Sequence, residues 1–412
     1  MQISVIKFGG TSLADFNKIN KVSLKIIDHL NLNKKIVVVV SAMSGVTNKL
    51  VSEYTKLSSN IFSENYDSII SIGEQYSSSV LTTILLEKKI KTRSLLGWQI
   101  PIITDSNFGR ARIKKIDSSF IKKEFSKYDV LVVAGFQGIN SNNQITTLGR
   151  GGSDTSAVAL AVALSCSNCE IYTDVEGIYT SDPKIVTKAK KISFITHEEI
   201  LEMASLGSKV LHPRSVELAM KYGITVHVRS SFVKKDGTLV VKEEKKLEKE
   251  VVTGIASSEN DAKITLKGIP DKPGVAAKIF GLLANSKINV DMIVQNITDD
   301  GKYASITFTV PLIDASNSVS VLKKSSIKFK NIHLDKKICK ISIVGVGMKS
   351  NVGVAQKMFE TLAQNNINIK VISTSEIKIS VLIPLQKKTI ALNALHKSYQ
   401  LDSKKSKKNG YK

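Results

Sequence analysis

Residues 3–12 read ISVIKFGGTS: β-branched residues that favour a strand, followed by a lysine, a phenylalanine and two glycines. Further apolar, β-rich runs at 36–41, 100–104, 130–134, 170–173 and 225–229 predict strands, and stretches 66–88, 154–165 and 197–222 carry apolar residues at helical spacing. Strands alternating with helices over some 240 residues predict α/β units around a mostly parallel sheet. Ligands of such sheets sit outside the carboxyl ends of the strands, which is where Lys7 falls.

Downstream, the charged run KEEKKLEKE (242–250) interrupts the alternation and predicts a boundary, as a linker helix or an exposed connection. Beyond it the chain repeats itself. PGVAAKIFGLLANSKINVDMIVQ (273–295) aligns without gaps on VGVAQKMFETLAQNNINIKVIST (352–374). AKITLKGI and KISIVGVG precede the two copies, and the alternating runs SITFTV and KISVLI follow them. Each copy predicts a small β-α-β-β module whose helices cover one face of an antiparallel sheet, and one such module is too small to bury its sheet alone.

A length of 412 residues suggests two to four domains. No apolar run approaches the length of a membrane span, and the amino terminus lacks the pattern of a secretory signal, so a cytoplasmic protein is expected. The three cysteines, Cys166, Cys169 and Cys339, suffice neither for a disulfide framework nor for a four-ligand zinc site; they are expected to be buried thiols, the C-x-x-C pair at a helix end. The net charge of +23 raises the question of nucleic acid, but of 59 basic residues only six are arginine, the residue that reads bases and phosphates bidentately. Dispersed surface lysine explains the excess, and neither a nucleic acid nor a membrane partner is expected.

Four loops at predicted strand ends carry chemistry. KFGGTS (7–12) offers glycines through which backbone N–H groups can approach phosphate oxygens; it is no P-loop, and by itself it is also compatible with a plain tight turn. SAMSGVTN (41–48) is rich in small hydroxyl residues. In TTLGRGGSDTSA (146–157) Arg150 can grip a carboxylate bidentately, Gly151 and Gly152 permit close backbone approach, and Ser153 and Asp154 are expected to cap the following helix. YTDVEGIYTSDPK (172–184) supplies Asp174, Tyr179, Asp182 and Lys184. Four such loops imply one ligand-filled crevice. His197, His212 and His227 are expected to be structural or at the surface.

With these motifs in this order, together with IGEQYSS, GWQ, VVAGFQG and GSKVLHPRSVE, the chain from about residue 2 to about 400 resembles the aspartokinases, and the repeat resembles their tandem ACT domains. The resemblance implies an amino acid kinase fold, a mostly parallel sheet between helix layers, over 1–248. A linker and strand would follow at 249–263, then two α+β ferredoxin-like ACT domains at 264–340 and 341–405, with a disordered tail at 406–412. It implies transfer of the γ-phosphoryl group of ATP, bound with Mg2+, to the β-carboxylate of L-aspartate. That is the first step toward lysine, threonine and methionine, under feedback by lysine or threonine, in a homodimer or larger oligomer formed through the ACT domains.

Carried over by position, Lys7 is the catalytic lysine and Asp154 orients it. Ser41, Thr47, Glu74, Arg150, Gly151, Gly152 and Ser153 bind substrate, with Glu74 on the α-amino group and Arg150 on the α-carboxylate. Phe8, Gly9, Gly10, Thr11 and Ser12 line the phosphates beside Lys7, and Thr173, Asp174, Tyr179, Asp182, Lys184 and Lys209 embrace the nucleotide. The effector would touch Asp271, Gly274, Val275, Ala276, Gln295 and Asn296 in the first module and Asn368, Ile369, Ser373, Thr374 and Glu376 in the second. No residue is expected to hold a resident metal, and a carboxylate nucleophile, already ionised at neutral pH, needs no general base. The sequence departs from the family at Glu176, at Lys184, in FGRAR (108–112) and at Val275, which ranks lysine above threonine as effector. The alternative is an inactive ACT-type ligand-sensing subunit, against which intact Lys7, Arg150 and Asp154 stand.

Overall fold

The computed structural model describes residues 2–32, 35–206, 210–242, 251–299 and 301–402. The charged run past residue 242, Lys209 and the carboxy-terminal tail therefore lie outside the described residues. The chain divides into two units: Met1–Ile178 with Lys191–Ala204 and Lys209–Lys245, and Lys246–Lys412 with Tyr179–Lys190 and Ser205–Ser208.

The first unit contains β1 (Ile3–Phe8), β2 (Lys35–Val40), β3 (Thr92–Leu95), β4 (Ile102–Thr104), β5 (Ile113–Ile116), β6 (Val130–Ala134), β7 (Gln137–Ile139), β8 (Ile145–Thr147), β9 (Asn168–Thr173), β10 (Phe194–Thr196), β11 (Thr225–Ser230) and β12 (Thr238–Val241). Eight of them form one sheet in the order β10-β12-β11-β9-β1-β2-β6-β3, in which only the β11–β12 pair is antiparallel. β2 and β6 are buried along almost their whole length, as continuous Val/Ile runs demand of central parallel strands.

The helices of this unit are α1 (Phe16–Leu30), α2 (Val46–Leu57), α3 (Glu64–Ile70), α4 (Ile72–Glu87), α5 (Ser118–Glu124), α6 (Gly152–Ala163), α7 (His197–Ser205) and α8 (Pro213–Tyr222). α6 is buried from Gly152 to Ala161, polar in its first turn and apolar beyond it. α1, by contrast, buries one stripe through Ile19, Val22 and Ile26.

Four expectations change. The helical stretch 66–88 is two helices meeting at Ser71, whose carbonyl accepts a bond from the Gln137 side chain at 3.1 Å. The stretch 197–222 is likewise two helices, the second opened by Pro213, a residue suited to a first helical turn. The run at 100–104 yields only the short β4, which leaves the main sheet for a small one ordered β5-β4-β7-β8. Cys169 lies inside β9 and not at a helix end.

The second unit contains β13 (Gly254–Ser258), β14 (Asp261–Pro270), β15 (Asp291–Ile297), β16 (Tyr303–Pro311), β17 (Asn331–Asp335), β18 (Ile338–Val344), β19 (Val371–Thr374) and β20 (Lys378–Pro384), with helices α9 (Val275–Asn285), α10 (Ala315–Lys323), α11 (Val354–Gln364) and α12 (Lys388–Ser398). The first repeat builds the antiparallel sheet β15-β16-β14-β17, over which Ile279 and Leu283 of α9 pack against Ile264, Leu266 and Phe308. The second builds β13-β18-β20-β19. Its fourth strand is β13, which precedes the first repeat in the chain. Met292, Ile338, Val371 and Leu382 join the two sheets in a small apolar cluster.

Candidate active site

Parallel strands β9, β1, β2 and β6 are neighbours in that order, so the loops that follow them emerge at one edge of the sheet. Gly9 N–H donates to Tyr172 O at 3.1 Å, Ser41 N–H to Phe8 O at 3.2 Å, and Ser44 N–H to Gly10 O at 3.2 Å, which sews the first three loops together. Glycine is required where they meet: a Cβ on Gly10 would stand 2.6 Å from Ala42 O, and one on Gly73, in the first turn of α4, 2.6 Å from Ala42 Cβ. The chain returns from β8 through Gly151, whose positive φ of 66° starts α6 beneath the loop after β6. There Ser156 Oγ accepts from Phe136 N–H at 3.0 Å.

Lys7, at the end of β1, places its Nζ 2.5 Å from Asp154 Oδ1, with both side chains about nine-tenths buried. Asp154 is therefore not a helix cap. Gly151 occupies the cap position, and Ser153 and Asp154 lie within the first turn, buried, with Asp154 turned to the lysine. Glu74 is 4% exposed, and its Oε2 has no hydrogen-bond partner. Burial pushes its carboxyl up to about 7, while the N–H groups of Ala42 and of Glu74 itself, and the charge of Lys7, pull the other way. A buried carboxylate with an idle oxygen beside a lysine and glycine-lined loops can hold a cationic group of a ligand.

The remaining expected residues distribute unevenly. Arg150 is exposed and makes no ion pair with a described residue, while Ser41 and Thr47 are half-buried at the end of β2 and in the first turn of α2. Thr11 is exposed; Ser12 is buried and bonded to Ser231 Oγ at 2.6 Å. Phe8 is fully buried and stacked on Tyr172 with ring centroids 5.0 Å apart, so its side chain is core and lines no phosphate. Thr173 and Asp174 lie at the end of β9, with Thr173 Oγ1 accepting from Val175 N–H at 3.0 Å.

Tyr179, Asp182 and Lys184 belong to a segment grouped with the second unit. Val186 of that segment sits in the second unit's core, and Thr180 Oγ1 lies 2.9 Å from His396 Nε2. His197 is buried against Ile224 O at 3.0 Å, and burial lowers the pKa of His197, His212 and His227, in keeping with structural neutral rings.

Two participants escaped the sequence reading. Asp67 in α3 is fully buried, and Arg214 in α8 is partly so; both bond the loops that carry Arg150. The spacing of Asp67 and Ile70, three apart on the buried side of α3, was the available signal.

In the second unit, an open cavity of about 360 Å³ is lined by Asp271, Gly274, Val275, Ala276 and Gln295. Gln295 Nε2 donates to Asp271 Oδ1 at 3.4 Å. Gln295 and Asn296 lie on β15 and Ser373 and Thr374 on β19, each an edge strand of its sheet, while Asn368, Ile369 and Glu376 flank β19.

A parallel sheet with a buried Lys–Asp pair and converging glycine loops at its carboxyl edge defines an anion-handling transferase, and residues 2–230 match the model of the amino acid kinase family. Residues 264–324 and 341–399 match ACT domain models. The chain is 46% identical to an aspartate kinase of Pseudomonas putida over 98% of each chain, and 46% identical to an aspartokinase of Helicobacter pylori over 97% of this chain and 99% of that one. It superposes on the E. coli aspartokinase III complex with aspartate and ADP, an R-state, with a TM-score of 0.81 at 28% identity, covering 97% of this chain and 99% of that one. On the complex of the same enzyme with lysine and aspartate, a T-state, the TM-score is 0.76 at 28% identity, with 97% and 100% covered. The chain belongs to the aspartokinases, ATP-dependent kinases of the amino acid kinase family. No helix among the described residues is long and apolar enough to cross a membrane.

Proposed function

We propose that the chain transfers the γ-phosphoryl group of ATP to the β-carboxylate of L-aspartate, giving 4-phospho-L-aspartate and ADP, as the entry step to lysine, threonine and methionine in the cytoplasm. The observation that carries the acceptor is Glu74, a buried carboxylate with an idle oxygen in a glycine-walled crevice beside Lys7. It suits an α-ammonium group, and Arg150, exposed at the surface, suits the α-carboxylate.

Phosphoryl transfer asks for positioning and charge stabilisation rather than a covalent intermediate. Lys7 neutralises charge that develops on the transferred group, and Asp154 fixes the ammonium in place. Backbone N–H groups of Gly10 and Thr11 approach the phosphates, while Gly9 lines them with its own N–H kept on Tyr172 O; Ser41, Thr47 and Ser153 border the acceptor, with Gly151 and Gly152 admitting close backbone approach. Thr173 and Asp174 meet the nucleotide, and Tyr179, Asp182, Lys184 and Lys209 are assigned to it by sequence position. Mg2+ typically arrives on the triphosphate and takes one or two carboxylates from a protein, for which Asp174, just after β9, is the candidate. When bound it supplies charge neutralisation on the phosphate oxygens.

The catalytic domain is assigned to 1–248 and the ACT domains to 264–340 and 341–405, with lysine ranked above threonine as feedback effector and a homodimer or larger assembly through the ACT modules. The E. coli relative solved with lysine supports this ranking. The test is ADP release with and without L-aspartate. Release that depends on aspartate supports the proposal, and release indifferent to it, or none, contradicts it.

A further inference from the structure

Asp67 lies on α3, one short turn before the Ser71 junction from which α4 carries Glu74. It is fully buried and forms no ion pair with a described residue. Its carboxylate instead accepts every bond from two distant loops. Gly109 N–H reaches both oxygens at 2.9 Å, Thr147 N–H donates to Oδ2 at 2.7 Å, and Thr147 Oγ1 donates to Oδ1 at 2.7 Å.

Thr147 closes β8, three residues before Arg150. Gly109 belongs to the loop that lies against the same turn: Ala111 N–H donates to Thr147 O at 2.9 Å, and a Cβ on Gly149 would stand 3.1 Å from Gly109 O. On these loops Arg214 bonds carbonyls, Nη1 to Leu148 O at 2.7 Å and Nη2 to Ala111 O at 2.6 Å. A buried carboxylate that collects N–H groups and a guanidinium that collects carbonyls thus hold one pair of loops. Burial raises the Asp67 pKa and the bonds from Gly109 and Thr147 lower it, so a surrounding of donors compensates the desolvated charge.

We propose that Asp67 is the positioning residue that sets the spacing between Glu74 and Arg150, and thereby selects an acceptor bearing both an α-ammonium and an α-carboxylate. Asp67 touches neither substrate nor the reacting atoms. Its bonds join the helix pair leading to Glu74 directly to the turn leading to Arg150. The proposal rests on the acceptor clamp assigned above, so its test includes the unmodified enzyme.

Asp67→Asn keeps the shape but turns an amide NH2 toward donors, leaving at least one bond repelled. The experiment measures KM for aspartate and for ATP separately in full-length wild type, Asp67→Asn and Thr147→Val, with folding followed by circular dichroism. Misplacing one half of the clamp should raise KM for aspartate roughly 10- to 100-fold while KM for ATP stays within about twofold. Thr147→Val, which removes one of the donors, should show the same selective rise at about threefold or more. KM values for both substrates moving together, or neither moving, overturns the proposal in favour of a purely structural role. If Asp67→Asn does not fold, Thr147→Val decides: a rise confined to aspartate supports the proposal and its absence overturns it. Wild type without aspartate-dependent turnover overturns the clamp itself, a failure visible before any variant is compared.

Discussion

Two lysines of this chain are both buried and ion-paired, and the roles proposed for them differ. Lys7 ends a parallel strand, 2.5 Å from Asp154, among loops that tolerate no side chain at Gly10 or Gly73. Lys340 sits in the middle of β18, 5% exposed, between Asp291 at 2.9 Å and Asp261 at 3.4 Å, and ties three strands of the ACT-domain unit. Burial and pairing therefore do not mark a catalytic group. Position does: a charge at the carboxyl edge of a parallel sheet faces a space that a ligand can enter, whereas a charge between two carboxylates is already satisfied.

The largest expected effect separates the two. Lys7→Ala should lower kcat by about 10² to 10³ or more with much less change in KM for aspartate, the scale of losing one stabiliser of transition-state charge. Lys340→Ala should leave kcat within a small factor but lower stability by as much as about 3 kcal/mol, seen in the denaturation midpoint, because Asp261 loses its buried partner. Equal loss of turnover in both variants would erase the distinction.

Acid sharpens it further. The Lys340 side chain holds the Asp291 carboxyl below its ordinary value, although burial opposes this. A depressed folded-state pKa contributes stability above the unfolded value and loses it as pH falls through the folded one, so Asp291 stabilises at neutral pH and ceases to do so in acid. Glu74 behaves oppositely. Its folded value is raised to about 7, so ionising it costs stability as pH climbs from its ordinary 4.5 to about 7. Binding the α-ammonium group needs the ionised form. Hence kcat/KM for aspartate should rise up to tenfold per pH unit below about 7 and level off above it, with Glu74→Gln low throughout. A flat profile between pH 5.5 and 8 removes Glu74 from the ammonium site. Succinate, which lacks the amino group, should be phosphorylated at less than about one-tenth the efficiency of aspartate.

The smallest effects belong to the edge strands of the ACT domains. If lysine binds one arrangement of the modules better, Gln295→Ala, Ser373→Phe and Thr374→Ile should relieve its inhibition while keeping basal activity, a shift equivalent to a coupling of about 1 to 3 kcal/mol. Titration of lysine and threonine, singly and together, checks it. Inhibition that persists unchanged in all three variants moves the effector elsewhere in the repeat.

Much of this was legible in the sequence because the chemistry is local. KFGGTS and GRGGSDT each place charge and glycine within a few residues at the end of an element, and the gapless repeat gave away two modules. What was hidden depends on partners far along the chain. Read from its own loop Asp154 is a cap, and only the family resemblance paired it with Lys7, far upstream, which the structure shows facing it. β13 precedes the first module yet completes the sheet of the second, and no pattern within its five residues names β18 as its neighbour. The segment 179–190 lies between β9 and β10 in sequence, yet Val186 packs in the other unit's core. Asp67 shows no motif at all; its role lies in bonds to Gly109 and Thr147.

The central claim is that Lys7 serves a phosphoryl group on its way to the side-chain carboxylate of aspartate. Its most direct measurement is phosphorus NMR of the product formed from ATP and L-aspartate, with hydroxylamine trapping to locate the acyl phosphate, in wild type and in Lys7→Ala. The account predicts an acyl phosphate on the β-carboxylate in wild type and almost none in the variant. An acyl phosphate on the α-carboxylate, or equal yield from both proteins, would contradict it.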